Sequence, residues 1–236
     1  MIAAGAIDHG ALERNIDEVH ERVHLAARES GRSADAITIV AVSKTFPRTL
    51  VDEAYALGLS SFGENRVQGA KGKYGGPLPS DLRLHMIGSL QSNKAKAAIG
   101  LFDRIESVDR MSLVEALEHA ATRVDTLVSV LLQVNLGREP RKSGCFPEQA
   151  LELIDALIGA DHLRVDGLMG IAPLLPNAHD TRPYFRELRL LREDICRERP
   201  DVDLSVLSMG MSGDFEAAIA EGATHVRIGS AIFGAR

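Results

Sequence analysis

Cysteine is nearly absent: Cys145 and Cys196 are the 2 in 236 residues, far apart and without CxxC spacing. That pattern excludes a disulfide framework and suits reduced thiols in a cytoplasm. No long apolar run occurs either. The longest, Leu127 to Val134, is broken by Ser129 and Gln133 and is far too short to cross a bilayer. The N-terminus carries Asp8, Glu13 and Arg14 where a signal peptide would need an apolar core. No block of basic residues stands out against a net charge of -6, which argues against nucleic acid or an anionic membrane as partner. There is no G-x-G-x-x-G and no Walker sequence, and no linker or low-complexity tract. What remains is a soluble chain, 45% hydrophobic, long enough for one α/β barrel or two small domains.

The stretch Ile37-Thr38-Ile39-Val40-Ala41-Val42 is apolar and β-branched, the pattern of a strand buried on both faces. It ends at Ser43-Lys44-Thr45, and Pro47 bars its continuation. Lys44 therefore stands at the carboxyl end of a core strand, where an ammonium is costly to desolvate. A lysine so placed can act as an amine nucleophile, for example in a Schiff base; the alternative is one that bends to solvent or pairs with a carboxylate.

Around this strand the periodicity predicts a regular alternation. A first helix spans 8–30, with Leu12, Ile16, Val19, Val23 and Ala27 on one face and Gly31 as its stop. Eight strands follow, each of the first seven trailed by a helix. The strands fall at 37–42, 60–62, 82–87, 104–108, 127–134, 163–169, 204–207 and 224–228, and the helices at 48–57, 65–73, 91–98, 109–123, 147–158, 180–198 and 213–221. Asp109 reads as the cap of its helix, Pro147 opens another, and Tyr184, Leu188, Leu191 and Ile195 face inward on a third. Units of about thirty residues are the spacing of a single (β/α)₈ TIM barrel with an extra N-terminal helix. A doubly wound sheet would carry a Gly-rich turn after its first strand, where this chain has Ser43 to Pro47.

Barrel chemistry is placed at the strand ends, which here read Lys44, Asn65, His85, Ser107, Asn135, Met169, Ser208 and Arg227. After the seventh strand comes Ser208-Met209-Gly210-Met211-Ser212-Gly213-Asp214, and after the eighth Arg227-Ile228-Gly229-Ser230. Small residues, hydroxyls and a helix start there predict an anion cradle, since loops after strands seven and eight form the usual barrel phosphate site. Two motifs are decoys. His20-Glu21-Arg22-Val23-His24 spells H-E-x-x-H, but no downstream motif supplies a third zinc ligand. Gly210 to Asp214 nearly spells a nucleophile elbow, but Asp214 stands where its last glycine belongs.

An amine poised for a Schiff base beside a phosphate cradle suggests a phosphorylated aldehyde, and pyridoxal 5'-phosphate (PLP) is the obvious candidate. Ala41-Val42-Ser43-Lys44-Thr45, Phe62-Gly63-Glu64-Asn65, His85 to Lys94, Val134-Asn135 through Lys142-Ser143-Gly144, Gly167 to Pro173 and Leu207 to Gly234 carry a wider likeness. Through them the chain resembles the pyridoxal phosphate homeostasis proteins (the YggS/PROSC family), which share a barrel with the N-terminal domain of alanine racemase. The resemblance implies that Lys44 holds PLP as an internal aldimine. It implies phosphate contacts from Ser208, Ser212, Gly229 and Ser230, a pyridine nitrogen facing Arg227, and a pocket lined by Asn65, His85 and Met169. It also implies a single PLP-binding domain over 1–236, a cytoplasmic monomer that exchanges PLP with PLP-requiring apo-enzymes. One departure is Leu84, where the family commonly has an aromatic residue, in a chain with no tryptophan.

Two functions then compete, a non-catalytic PLP carrier and a PLP enzyme such as a racemase or lyase. Carbanion chemistry needs the ring as an electron sink, which an acidic partner at the pyridine nitrogen promotes, and Arg227 is a donor only. Racemisation also needs an acid/base opposite the lysine, and Tyr55, Tyr74 and Tyr184 fall in expected helices rather than at strand ends. A barrel enzyme of phosphorylated sugars would need a carboxylate near Lys44, for which Glu64 and Glu106 are the candidates. The carrier is the expectation.

Overall fold

The structure, a computed structural model, describes residues 9–234; Asp8, where the first helix was expected to begin, and Arg236 lie outside them. Helix α1 spans His9–Glu29 and buries Leu12, Ile16, Val19, Val23, Ala26 and Ala27. Gly31, at φ 70°, ends it in the left-handed conformation that a residue with a Cβ adopts only with strain. Strands β1 (Thr38–Val42), β2 (Ser61–Glu64), β3 (Arg83–Met86), β4 (Arg104–Val108), β5 (Val128–Val134), β6 (Leu163–Gly170), β7 (Val206–Met211) and β8 (His225–Ile228) follow. They pair in sequence order, all parallel, and β1 closes on β8 through Thr38↔His225 to Ala41↔Ile228. This is the expected closed (β/α)₈ barrel. Around it run α2 (Arg48–Ala56), α3 (Val67–Lys73), α4 (Ala95–Ile99), α5 (Met111–Thr122), α6 (Ala150–Ile158), α7 (Arg182–Glu198), α8 (Phe215–Ala220) and α9 (Ser230–Phe233). Helix α1 packs on α8 and α9, where Asn15 donates to the Ile232 carbonyl at 2.9 Å.

The main core lies between strands and helices. It includes the fully buried Phe62, Phe185, Phe215 and Phe233, each worth about 1.5–3 kcal/mol over an exposed side chain. Inside the barrel, Leu131, Met169 and Val206 form a small separate cluster. At Gly167 a Cβ would stand 1.9 Å from the Val206 carbonyl, so β6 and β7 can approach only because that position is glycine. The amino ends of the strands are plugged by polar contacts. Arg104 donates to Ser129 Oγ, to Asp166 and to His225 Nε2, and burial pushes His225 down to about 4.

Several local expectations are corrected. Arg110, not Asp109, holds the cap position of α5, without a side-chain bond. The Asp109 carboxylate is turned away, accepting from Arg110 at 2.6 Å and from the Gly144 N–H at 3.1 Å. Helices α4, α6 and α7 are each entered through a 3₁₀ turn. On α7 the fully buried aromatic is Phe185, while Tyr184 and Leu191 are only partly covered. Strand β7 runs to Met211 rather than stopping at 207, because Gly210 (φ 90°) lets it kink against α8 and continue. The short α9 after β8 was not anticipated. Its sequence, Ser-Ala-Ile-Phe, is too brief to show a helical period.

Candidate functional site

A cavity of about 650 Å³ opens at the carboxyl ends of the strands. Residues 43–46, after β1, form a tight turn in which the Phe46 N–H donates to the Ser43 carbonyl at 3.0 Å. Lys44 occupies the turn and lines the cavity, half-buried rather than enclosed, because the strand stops two residues earlier at Val42. Asn65, just past β2, also lines it. Gly88 stays close behind Asn65, where a Cβ would meet the Asn65 carbonyl at 2.4 Å.

Ser212, Gly213, Gly229 and Ser230 form another part of the wall. Ser212 Oγ accepts from the Gly229 N–H at 3.1 Å and from the Ala231 N–H at 3.3 Å, so two backbone donors converge on one oxygen after β8. Asp214 shapes the loop before them by accepting from the Met211 N–H at 2.6 Å; burial raises its carboxyl above the usual range despite that bond. A Cβ on Gly213 would meet nothing within 4 Å, so that segment leaves open space. Backbone donors, hydroxyls and open space make this the natural place for an anion.

Arg227 lines the cavity from below and is otherwise buried. It donates to Ser208 Oγ at 2.7 Å and to the Gly170 carbonyl at 2.8 Å. Ser208 donates to Glu106 at 2.6 Å, and the other Glu106 oxygen meets His85 Nδ1 at 2.6 Å. Burial raises the Glu106 carboxyl, but the His85 hydrogen bond and the charges of His85 and Arg227 outweigh it and hold the group well below its ordinary value. Burial lowers the Arg227 guanidinium, against the pull of Glu106 and Asp214. Four strands, β3, β4, β7 and β8, thus contribute one ionic layer directly under the cavity.

Of the expected site residues, Lys44, Asn65, Ser212, Arg227, Gly229 and Ser230 meet at this one cavity. His85, Met169 and Ser208 lie beneath it and are not among its lining residues. For Ser208 the reason is the extra length of β7, which carries Ser212 to the rim in its place. Ser107 and Asn135, also read as strand ends, are buried. Among the described residues Ser107 Oγ has no hydrogen-bond partner, and Asn135 Nδ2 donates to the Glu139 carbonyl at 2.8 Å. Phe46, Ile87, Ile171 and Met211 line the cavity and were missed; their only signal is position, at the carboxyl end of a strand or within four residues past it. Leu84 is fully buried in the outer core. Among the described residues no group of three potential metal ligands includes His20 or His24, and no helix is long and apolar enough to cross a membrane.

The chain matches the family described as alanine racemase, N-terminal domain, over residues 7–236. It is 43% identical to the pyridoxal phosphate homeostasis protein of Aquifex aeolicus, covering 96% of this chain and 98% of that one. The protein of the same name from Pseudomonas aeruginosa is 41% identical over 95% of this chain and 96% of its own. Among solved structures, PipY of Synechococcus elongatus PCC7942, with PLP bound, superimposes with a TM-score of 0.80 at 38% identity. That match covers 92% of this chain and all (100%) of PipY.

Proposed function

This chain belongs to the pyridoxal phosphate homeostasis proteins, within the alanine racemase N-terminal domain family, and from that membership we propose that it binds PLP through Lys44 and serves to hold and hand on the cofactor without turning over amino acids. The observation that carries the reading is the composition of one cavity. A lysine amine shares it with backbone and serine donors suited to a phosphate, and with the guanidinium of Arg227. The donor set fits a phosphorylated pyridine aldehyde. Lys44 would hold the aldehyde through its amine, with loss of water, Ser212, Gly229 and Ser230 would hold the phosphate, and Asn65 lines the pocket. When bound, the cofactor's ring can act as an electron sink for groups attached through its aldehyde.

The same residues argue against using that sink. Arg227 can only donate, so it favours an unprotonated pyridine nitrogen, which is a weak sink. The lining residues described include no Asp, Glu, His or Tyr that could move a proton opposite Lys44. Tyr55 is bonded to Asp81 and Tyr74 to Ser43, while Glu64 and Glu106 are buried in bonds of their own. The reading includes a single domain, a cytoplasmic setting in keeping with two unpaired cysteines, a monomer, and PLP-requiring apo-enzymes as recipients. Borohydride treatment of the PLP-loaded protein should fix one pyridoxyl group on Lys44 by peptide mass spectrometry, and no amino acid should be racemised faster than by free PLP. Label on another residue, unchanged affinity in Lys44→Ala, or rapid stereospecific turnover by the wild type would each overturn it.

A further inference from the structure

Behind the wall that carries Lys44, on the side away from the cavity, lies a second buried ionic cluster. Every polar group of Ser43 is engaged. Its N–H donates to the Gly63 carbonyl at 3.1 Å, and its Oγ donates to Glu64 at 2.8 Å while lying 2.9 Å from the Tyr74 hydroxyl. Its carbonyl accepts from the Phe46 N–H and, at 2.7 Å, from Lys73 Nζ. Lys73 also pairs with Glu64 at 2.6 Å, with side-chain exposures of only 10% and 4%. None of Glu64, Lys73 and Tyr74 lines the cavity.

The turn these groups grip is strained. Lys44 and Thr45 are its two central residues, and Thr45 has φ 73°. That region suits glycine or asparagine at the third position of a turn, and a β-branched residue there is an outlier. Backbone strain of this kind persists only where the surroundings over-determine it. Here the determinants are visible: two donors on the Ser43 carbonyl, two partners on its hydroxyl, and a charge pair whose members would be costly to separate. An unclamped turn would relax Thr45 toward negative φ and swing the residue before it.

We propose that Glu64, Lys73 and Tyr74 are positioning residues for Lys44: a buried clamp on Ser43 that enforces the strained turn and so aims the lysine amine into the cavity. The proposal rests on the Lys44 reading above and adds to it the device that sets the lysine's direction.

The test compares wild type with Glu64→Gln/Lys73→Met, which removes both charges together and leaves none buried alone, and with Tyr74→Phe. Apo protein is mixed with PLP, and the rate of covalent capture is read from absorbance and from borohydride-fixed label on Lys44. Capture should slow at least tenfold in the double variant and about threefold in Tyr74→Phe. Adding Thr45→Gly to the double variant should restore the rate to within about threefold of wild type, because glycine takes the positive φ without a clamp. A double variant that melts earlier yet captures PLP within twofold of the wild-type rate would show the cluster to be packing only and overturn the proposal. So would slowed capture that Thr45→Gly leaves unimproved. If the double variant fails to fold, Tyr74→Phe decides alone, and capture within 1.5-fold of wild type refutes the clamp. Label that misses Lys44 in the wild type would instead refute the lysine assignment, a distinguishable failure.

Discussion

Replacing Glu106 by Gln tests whether the ionic layer under the cavity is a coupled unit. Glu106 is fully buried and reaches Arg227 through Ser208, and the guanidinium is itself buried. Glutamine keeps the shape and can still accept from Ser208 or meet His85, so hydrogen bonding is largely retained. What goes is the charge that offsets a buried cation. Removing one member of a buried pair typically costs ~3–5 kcal/mol. With the hydrogen bonds kept, the lower end, about 3 kcal/mol, is expected here, a large share of a net stability of about 5–15 kcal/mol. Arg227→Met alone leaves Glu106 with His85 and should cost about 2–3 kcal/mol, since part of the charge stays compensated. The double variant buries neither charge and should cost at least ~1 kcal/mol less than the two single losses combined. Urea denaturation of the apo proteins, with the slope held as a check on two-state behaviour, measures all four corners of this cycle. If the losses add within about 0.5 kcal/mol, Glu106 does not stabilise Arg227 and the coupling is wrong.

His225 should make the fold sensitive to mild acid. Burial, together with the nearby Arg104 and His85 and against the attraction of Glu106, lowers it from 6.5 to about 4. The unfolded chain takes up that proton near 6.5 while the folded chain refuses it, so stability falls as pH drops from 6.5 to about 4, by at most ~3 kcal/mol. His225→Asn should flatten the pH–stability curve in that window, and a curve as steep as the wild type's would exclude His225 as its source. Gly167→Ala should cost ~3 kcal/mol or more by driving a methyl into the Val206 carbonyl between β6 and β7. A change below 1 kcal/mol in urea denaturation would mean that the two strands can part at no such cost.

Hydrophobic period carried the architecture. Strands such as β5, buried at every position, announce a parallel sheet buried on both faces, and α1 shows its stripe at three- and four-residue steps. Lys44 was legible because Pro47 fixes where β1 must end. That Ser212, Gly229 and Ser230 share one cavity was legible, but the length of β7 was not. Periodicity does not register a kink at Gly210, and four extra strand residues, Ser208 to Met211, moved Ser208 from rim to interior. Least legible were the partnerships. Glu106 and Ser208 are 102 residues apart in sequence, yet His85, Glu106, Ser208 and Arg227 meet because barrel closure brings β3, β4, β7 and β8 around one axis. In the sequence Glu64 stands out only as a candidate carboxylate near Lys44, and Lys73 only as the last residue of an expected helix over 65–73. Only the fold shows them closing over Ser43.

The placement of charge bears on how firmly a ligand could be held. Two buried carboxylates sit one layer away from the cavity, Glu106 below it and Glu64 behind it, each engaged by nearby cations, while a third, Asp214, braces the loop by accepting from the Met211 N–H. The wall proposed for the anion is built from Ser212, Gly213, Gly229 and Ser230, which carry backbone N–H groups and hydroxyls. Such neutral donors bind an anion about half as strongly as charge-assisted ones do. A phosphate seated there would be oriented well and gripped moderately, so most of the hold on a PLP molecule would fall to its bond with Lys44. That bond is the one an incoming amine can exchange. A store that must later surrender its cofactor is better served by a strong but exchangeable covalent bond than by a phosphate locked between arginines. The half-buried setting of Lys44 keeps the exchanging atom within reach of solvent.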